Sequence, residues 1–235
     1  MVQSDPAGYE LWDTPDGRWW VPRGDSSALF LVLAEQRQDI YRSKAIAVRP
    51  GDVVLDCGAH VGGFTRKALR AGARKVVAIE PAPMALECLR RNVAEEKCKD
   101  CVLVVPKGVW DRDDVLVMSN RDGLEGSFVS GRTPVAAQAT GLPVTTIDKL
   151  SAELALERVD FIKMDIERAE GRALEGAKET LRKYRPRLAL AGYHYREDGE
   201  RLPAIVSRLQ PAYRSACGYC YSALGIRPEV IFFQY

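Results

Sequence analysis

The chain has 235 residues, 46% hydrophobic and 28% charged, with a net charge of +2. This balance fits one α/β domain of ordinary size, excludes a disordered chain, and makes nucleic acid an unlikely partner. No apolar run approaches about 18 residues, and the opening MVQSDPAGYELWDTPDG has acids and no apolar core, so neither a membrane span nor a secretory leader is expected and a cytoplasmic protein follows.

Residues 1–27 read as a polar lead-in, with turns at Pro15-Asp16-Gly17 and Pro22-Arg23-Gly24 and a short strand or lid at Arg18-Trp19-Trp20-Val21. Ser27–Ala47 reads as a helix with Leu29, Leu33, Ile40 and Ile46 apolar. Residues 1–50 are expected to cover a site carried by residues 51–235, the whole forming a single domain. Val53–Leu55 is a continuous apolar run, the pattern of a buried parallel strand. Asp56-Cys57-Gly58-Ala59-His60-Val61-Gly62-Gly63 is the turn after it, Phe64–Ala71 the following helix, and Gly72 its stop. Lys75–Ile79 is a second strand with Glu80 at its tip.

A helix follows from Met84 to Glu96, then a third strand at Cys101–Val105 and the loop Lys107–Asp111. Residues 112–143 are polar and glycine-rich, suited to a hairpin or flexible substrate loop with an edge strand at Val115–Met118. Val159–Asp165 is the fourth strand, Ala169–Tyr184 a helix, Pro186–Ala191 the fifth strand running on toward His194, and Leu202–Leu209 a helix. Tyr213–Cys220 and Val230–Phe233 read as a final antiparallel pair. The apolar Val230-Ile231-Phe232-Phe233 would serve the core or a homo-oligomer interface equally. Strands alternating with helices imply a mostly parallel sheet covered on both faces, with ligands bound beyond the C-terminal strand ends.

That rule gathers Asp56, Glu80, the Lys107–Asp111 loop, Asp165 and His194 at one edge of the sheet. The glycine spacing, Gly58-x-x-x-Gly62-Gly63, is not the G-x-G-x-x-G of a dinucleotide site, and Asp56 would repel a pyrophosphate. An acid at the tip of the second strand suits ribose hydroxyls. Asp56 suits an ammonium, so the expected cofactor is S-adenosylmethionine, held by Asp56, Gly58, Ala59, His60, Gly62, Thr65, Glu80 and Pro81, with Gly108 and Val109 flanking the adenine. The alternatives are a nicotinamide-dependent oxidoreductase and a plain turn with no ligand. Lys163, Asp165, Glu167 and His194 are the expected catalytic groups. His194 would take a proton as a neutral imidazole, or join Asp165 and Glu167 around a divalent cation such as magnesium. Glu167 and Glu170 read equally as helix N-terminal acids, and His194 as a hydrogen-bonded structural residue. Of the six cysteines, Cys98/Cys101 and Cys217/Cys220 have C-x-x-C spacing; reduced thiols are expected rather than a shared zinc site, because the pairs fall at opposite sheet edges.

The segments Gly51–Gly62, Ala78-Ile79-Glu80-Pro81, Thr146-Ile147-Asp148-Lys149-Leu150, Asp160–Glu167, Ala169-Glu170 through Leu174-Glu175-Gly176-Ala177, and Tyr193-His194 together resemble the FkbM family of S-adenosylmethionine-dependent methyltransferases. The likeness covers the chain from about residue 40 onward. It implies a class I methyltransferase (Rossmann-like) three-layer fold, whose seven-stranded sheet has the order 3-2-1-4-5-7-6 and one antiparallel strand. It also implies methyl transfer to a small-molecule hydroxyl of a sugar or natural product. An N- or RNA-directed methyltransferase and a non-catalytic S-adenosylmethionine-binding protein are the alternatives. Arg168 stands where the family usually has glycine after the D-x-E triplet; it would narrow the site, bind an acidic substrate group, or mark an unusual acceptor.

Overall fold

The computed structural model describes residues 1–94, 96, 99–119, 127–129, 141–222 and 225–235; the side chains at 99, 118, 119, 127–129, 219–222 and 225–228 lie outside that description. In chain order the elements begin with strands β1 (Gln3–Asp5), β2 (Tyr9–Thr14) and β3 (Gly17–Pro22), then helix α1 (Ser26–Gln38). Strand β4 (Val53–Cys57), helix α2 (Gly63–Arg70), strand β5 (Lys75–Ile79), helix α3 (Pro83–Ala94) and strand β6 (Val102–Val105) follow. Next come β7 (Gly108–Val109), β8 (Asp114–Ser119), β9 (Ser127–Val129), β10 (Gly141–Thr145) and α4 (Ile147–Glu153). The chain closes with β11 (Phe161–Met164), α5 (Glu170–Glu175), α6 (Lys178–Tyr184), β12 (Arg187–Ala191), α7 (Asp198–Leu209), β13 (Arg214–Ser222) and β14 (Gly225–Gln234).

Seven of these strands form the main sheet in the order β6-β5-β4-β11-β12-β14-β13. Numbered among themselves along the chain they read 3-2-1-4-5-7-6, as expected. Only β14 runs against the others, pairing antiparallel with both β12 and β13. The central strands are apolar on both faces because helices cover both: every residue of β4 and β11 is buried. Val230, Ile231, Phe232 and Phe233 of β14 are buried between two strands, so this segment serves the core and not an interface. β4 and β11 lie side by side, and the turn after each opens at the same edge of the sheet.

Four differences from the sequence reading have physical causes. First, the lead-in is a three-stranded antiparallel sheet, β1-β2-β3. Tyr9, Leu11, Trp19 and Val21 alternate inward, and Gly17 at φ +105° makes the tight turn that brings β2 and β3 together. Second, α1 stops at Gln38, where Asp39 turns left-handed at φ 59°. Ile46 reaches the core from irregular chain, beside Tyr41 and Phe64, so its apparent helical spacing was accidental.

Third, the helix expected over Ala169–Tyr184 breaks into α5 and α6. Gly176 passes so close to the Trp110 carbonyl that a Cβ would lie 2.1 Å from its oxygen. Asp148 then caps α6, accepting the backbone N–H groups of Glu179 at 3.0 Å and Thr180 at 2.7 Å. Fourth, β8 pairs with β10 in a four-stranded sheet, β7-β10-β8-β9. The flexible loop expected within 112–143 falls largely on residues 120–126 and 130–140, outside the described residues.

Cys101 is disulfide-bonded, which corrects the expectation of reduced thiols there, whereas Cys57, Cys88 and Cys217 are free. Cys98 and the side chain of Cys220 lie outside the described residues. The two C-x-x-C segments border β6 and lie within β13, the opposite edges of the sheet. Among the described residues no helix is long and apolar enough to cross a membrane.

Candidate active site

Two turns meet at the C-terminal edge of the sheet. The first follows β4. Gly58 is left-handed at φ +78°, and a Cβ there would lie 1.9 Å from the Asp165 carbonyl oxygen, so only glycine lets the two turns touch. The N–H groups of Gly58 and Ala59 both donate to the Ile79 carbonyl at 3.0 Å. Gly62, at φ +95°, packs against Leu89. Glu80 accepts the His60 N–H on one oxygen and the Ala82 N–H on the other, each at 2.8 Å, and so fixes the two segments against each other. Burial raises the Glu80 carboxyl above its ordinary range, against those two hydrogen bonds and the nearby His60 and Lys163 charges. Each oxygen still has a lone pair for a further donor.

Asp56 and Lys163 lie beneath this turn. Thr65, on the first turn of α2, donates to Asp56 Oδ2 at 2.6 Å, and Lys163 Nζ stands 3.3 Å from Asp56 Oδ1. Lys163 also donates to the Gly58 carbonyl at 2.7 Å. Burial alone would lower the Lys163 pKa, but the Asp56 and Asp165 charges outweigh it and hold it above the ordinary value. This geometry amends two expectations. The Asp56 carboxylate, 0% exposed, accepts Thr65 on Oδ2, while Oδ1 lies 3.3 Å from Lys163 and makes no hydrogen bond among the described residues, so Lys163 already balances the charge expected to meet a ligand's ammonium. Lys163 serves the glycine turn and does not stand free as a reactive amine.

The second turn follows β11. Asp165 Oδ2 accepts the Tyr41 hydroxyl at 2.7 Å, and the Tyr193 hydroxyl lies 3.2 Å from both carboxylate oxygens. His194 Nδ1 meets Glu170 Oε1 at 2.9 Å, while Nε2 lies 3.4 Å from Asp165 and 3.5 Å from Glu167. Glu170 Oε1 also accepts the Ile166 N–H at 3.0 Å. Glu167 and Arg168 are both left-handed, at φ 51° and 77°, and this backbone turns Glu167 back toward His194. Burial favours a neutral imidazole, yet the Glu170 hydrogen bond and the Glu170, Asp165 and Glu167 charges raise His194 to about 9. These charges favour the imidazolium form, against the neutral base expected of His194. Burial pushes the Asp165 carboxyl up, but Lys163, His194 and the two tyrosine hydroxyls overcome that and hold it below the usual range.

One donor atom each from Asp165, Glu170 and His194 lies within 4.8 Å of the others, and Glu167 is a third acid beside them. The buried His194 Nε2 and Glu170 Oε2 have no hydrogen-bond partner among the described residues. Gly108 and Val109 sit in β7 beside β10, away from both turns in sequence; the Val109 side chain belongs to the main core, leaving only backbone for a flat ring. Pro81 extends the Glu80 tip and is half-buried. His60 shapes the turn through its N–H, with its ring 3.9 Å from Asp25.

Sequence reasoning missed Tyr41 and Glu35, because nothing local marks either one. The chain after α1 carries Tyr41 across to Asp165, 124 residues away. Glu35, in the last turn of α1, is raised to about 7, first by burial and then by the Asp165 charge.

A family model described as the methyltransferase FkbM domain matches residues 56–221, and the chain belongs to that family. It is 25% identical over 188 residues to the 31-O-demethyl-FK506 methyltransferase FkbM of Streptomyces tacrolimicus, covering 68% of this chain and 72% of the relative. It is 36% identical over 188 residues to the tRNA wybutosine-synthesizing protein 2/3/4 of Arabidopsis thaliana, covering 72% of this chain but only 19% of that protein. The crystal structure of methyltransferase FkbM from Methylobacillus flagellatus shares the fold with a TM-score of 0.61 at 20% identity, over 92% of this chain and 56% of that one.

Proposed function

We propose that this member of the FkbM methyltransferase family methylates a hydroxyl of a small molecule, a sugar or natural product, with S-adenosylmethionine as donor. The observation that carries the reading is the contact between the two turns. Gly58 lies directly against the Asp165 carbonyl, so a donor held by the first turn is adjacent to the polar groups of the second. The name of the Streptomyces relative, an O-demethyl-product methyltransferase, supports oxygen as the methylated atom.

The residues fit the donor. Gly58, Ala59, His60 and Gly62 would cradle it, Glu80 with Pro81 would hold its ribose, and the backbone at Gly108 and Val109 would flank its adenine. Asp56, Thr65 and Lys163 hold the cradle from beneath. When bound, S-adenosylmethionine supplies an electrophilic methyl group. Asp165 accepts the acceptor's O–H and receives its proton, with Tyr41 and Tyr193 fixing the carboxylate. His194 balances the charge of Asp165, Glu167 and Glu170. Because Asp165 is a weak base, most of the rate enhancement comes from holding the oxygen in line for attack. Residues 1–50 cover this site by delivering Tyr41, and residues 51–235 carry it.

A divalent cation is part of the proposal. Asp165, Glu167 and His194 Nε2 would hold it, with Glu170 orienting the ring through Nδ1, the usual second partner of a ligating histidine. Such an ion would displace the His194 proton and lower the pKa of a bound hydroxyl. An RNA acceptor is the second reading, favoured by the Arabidopsis relative's name.

The test is a calorimetric titration with S-adenosylmethionine, using NAD and the Glu80→Ala variant as controls. Micromolar binding that is lost in the variant, with no response to NAD, is the expected result. A wild-type protein that does not bind S-adenosylmethionine would end the methyltransferase reading.

A further inference from the structure

The site is electrically polarised. Its floor carries Asp165, Glu167 and Glu170 around one histidine. Its rim carries arginines. The Arg168 guanidinium carbon lies 5.4 Å from the centre of the Tyr195 ring, and that of Arg201 lies 4.8 Å from the same centre. Tyr195 adjoins His194 in sequence and is 38% exposed, so this ring and its two cations lie at the surface beside the acidic cluster.

The two arginines are held differently. Arg201 is pinned from below: its Nε and Nη2 donate to Asp198 Oδ1 at 3.1 and 2.7 Å, and Asp198 is 0% exposed. Gly171 leaves room for it, since a Cβ there would lie 2.7 Å from Arg201 Nη1. Arg168 is exposed and has no hydrogen bond or ion pair among the described residues, only the Tyr195 ring. It also occupies a left-handed position at φ 77°, where a side chain is strained and glycine would be relaxed. An exposed cation kept on strained backbone, beside a site and without a partner, calls for a ligand that supplies one.

We infer that the methyl acceptor carries an oxyanion group, a carboxylate or phosphate, which Arg168 binds beside Tyr195 while the acceptor's hydroxyl faces Asp165. This rests on the methyltransferase reading and names its substrate class. The polarity does the orienting. The acidic floor repels the anion and the basic rim attracts it, so the molecule enters with its hydroxyl leading. Guanidinium suits the role because its planar fork matches an oxyanion while its face stays on the tyrosine ring. The acids nearest the rim do not cancel the attraction: Asp198 and Arg201 neutralise each other, which leaves Arg168 as the uncompensated charge, and Glu167 turns inward to His194.

The experiment measures binding to protein loaded with S-adenosylhomocysteine, by ligand-observed NMR at millimolar concentrations. The probes are matched pairs: glucuronate against glucose, glucose phosphate against glucose, and hydroxybenzoate against its methyl ester. The anionic member of at least one pair is expected to bind about tenfold tighter or more, with phosphate and carboxylate distinguished by which pair responds. Arg168→Gly should remove most of that preference and Arg168→Lys only part of it. The inference is overturned if neutral members bind as well as anionic ones, if the preference survives in Arg168→Gly, if no probe binds, or if only a tRNA transcript does. Calorimetry with S-adenosylmethionine on the same samples separates the failures. Loss of donor binding in the wild type sinks the methyltransferase reading, whereas intact donor binding without an anion preference sinks this inference alone.

Discussion

The donor-side turn after β4 and the acceptor-side turn after β11 lie against each other, yet they are built on opposite principles. The first is nearly saturated, although the buried Asp56 Oδ1 beneath it makes no hydrogen bond among the described residues. Its N–H groups reach Ile79 and Glu80, its carbonyl at Gly58 reaches Lys163, and its left-handed bends at Gly58 and Gly62 fall on glycine. His60, at φ 49°, is the exception. The second is left unfinished. Glu167 and Arg168 take left-handed backbone without glycine, three carboxylates crowd one imidazole, and buried atoms of His194 and Glu170 lack partners. A platform that must hold one donor can be largely satisfied by its own chain. A surface that must receive an acceptor keeps charge and hydrogen-bonding capacity in reserve, and is less stable for it.

The contrast can be broken most severely on the saturated side. Gly58→Ala forces a methyl group into the Asp165 carbonyl, at 1.9 Å, and adds a left-handed penalty. A loss of at least about 3 kcal/mol is expected in urea denaturation, together with loss of donor binding. Lys163→Met strands Asp56 as a buried charge and should cost about 3–5 kcal/mol. Replacing Asp56 by leucine in the same chain should recover part of that, and a double variant no more stable than Lys163→Met would refute the buried-pair account.

Changes on the unfinished side should strike turnover most, although removing the His194 charge from among three carboxylates also costs stability. His194→Gln is expected to lower turnover roughly 10²-fold, in the range of polar catalytic groups, with donor affinity nearly intact by calorimetry. Equal turnover would return His194 to a structural role. Arg168→Gly should raise stability by about 1 kcal/mol or less, since the strain relieved exceeds the stacking lost. A destabilised variant would show that the left-handed backbone is not strained.

A further effect is a matter of pH. Glu35 is raised to about 7, first by burial and then by the Asp165 charge. A carboxyl that binds its proton more tightly when folded makes folding less favourable as pH rises from its unfolded value toward 7, and the penalty is complete above that. Glu35→Gln should therefore melt higher than the wild type at pH about 8 and equally at pH about 4. A gain of the same size at both would show that burial of the side chain, not its charge, is responsible.

Much of this was legible locally. The apolar run at Val53–Leu55, the glycines at 58, 62 and 63, and the acid at Glu80 announce a strand, a turn and a strand tip, because each rests on near neighbours in the chain. Asp165, Glu167 and His194 were placed together by the rule that parallel strands open at one edge. The break between α5 and α6 was hidden, since it depends on the Trp110 carbonyl and the Asp148 carboxylate, both distant in sequence. The lead-in hairpin was misjudged because its alternation is short and rich in tryptophan.

The sequence by itself determined the strands and the two turns, since periodicity and glycine placement are local properties that the backbone obeys wherever the segment lies; the strand order was legible only through the family resemblance. Only the tertiary structure decided what each charge does. Asp56 became an internal partner of Lys163, His194 came to favour the imidazolium form, and Tyr41 became a ligand of Asp165. The physical reason is that a titratable group takes its role from burial and from the charges around it, and here those come from strands and helices up to 124 residues apart.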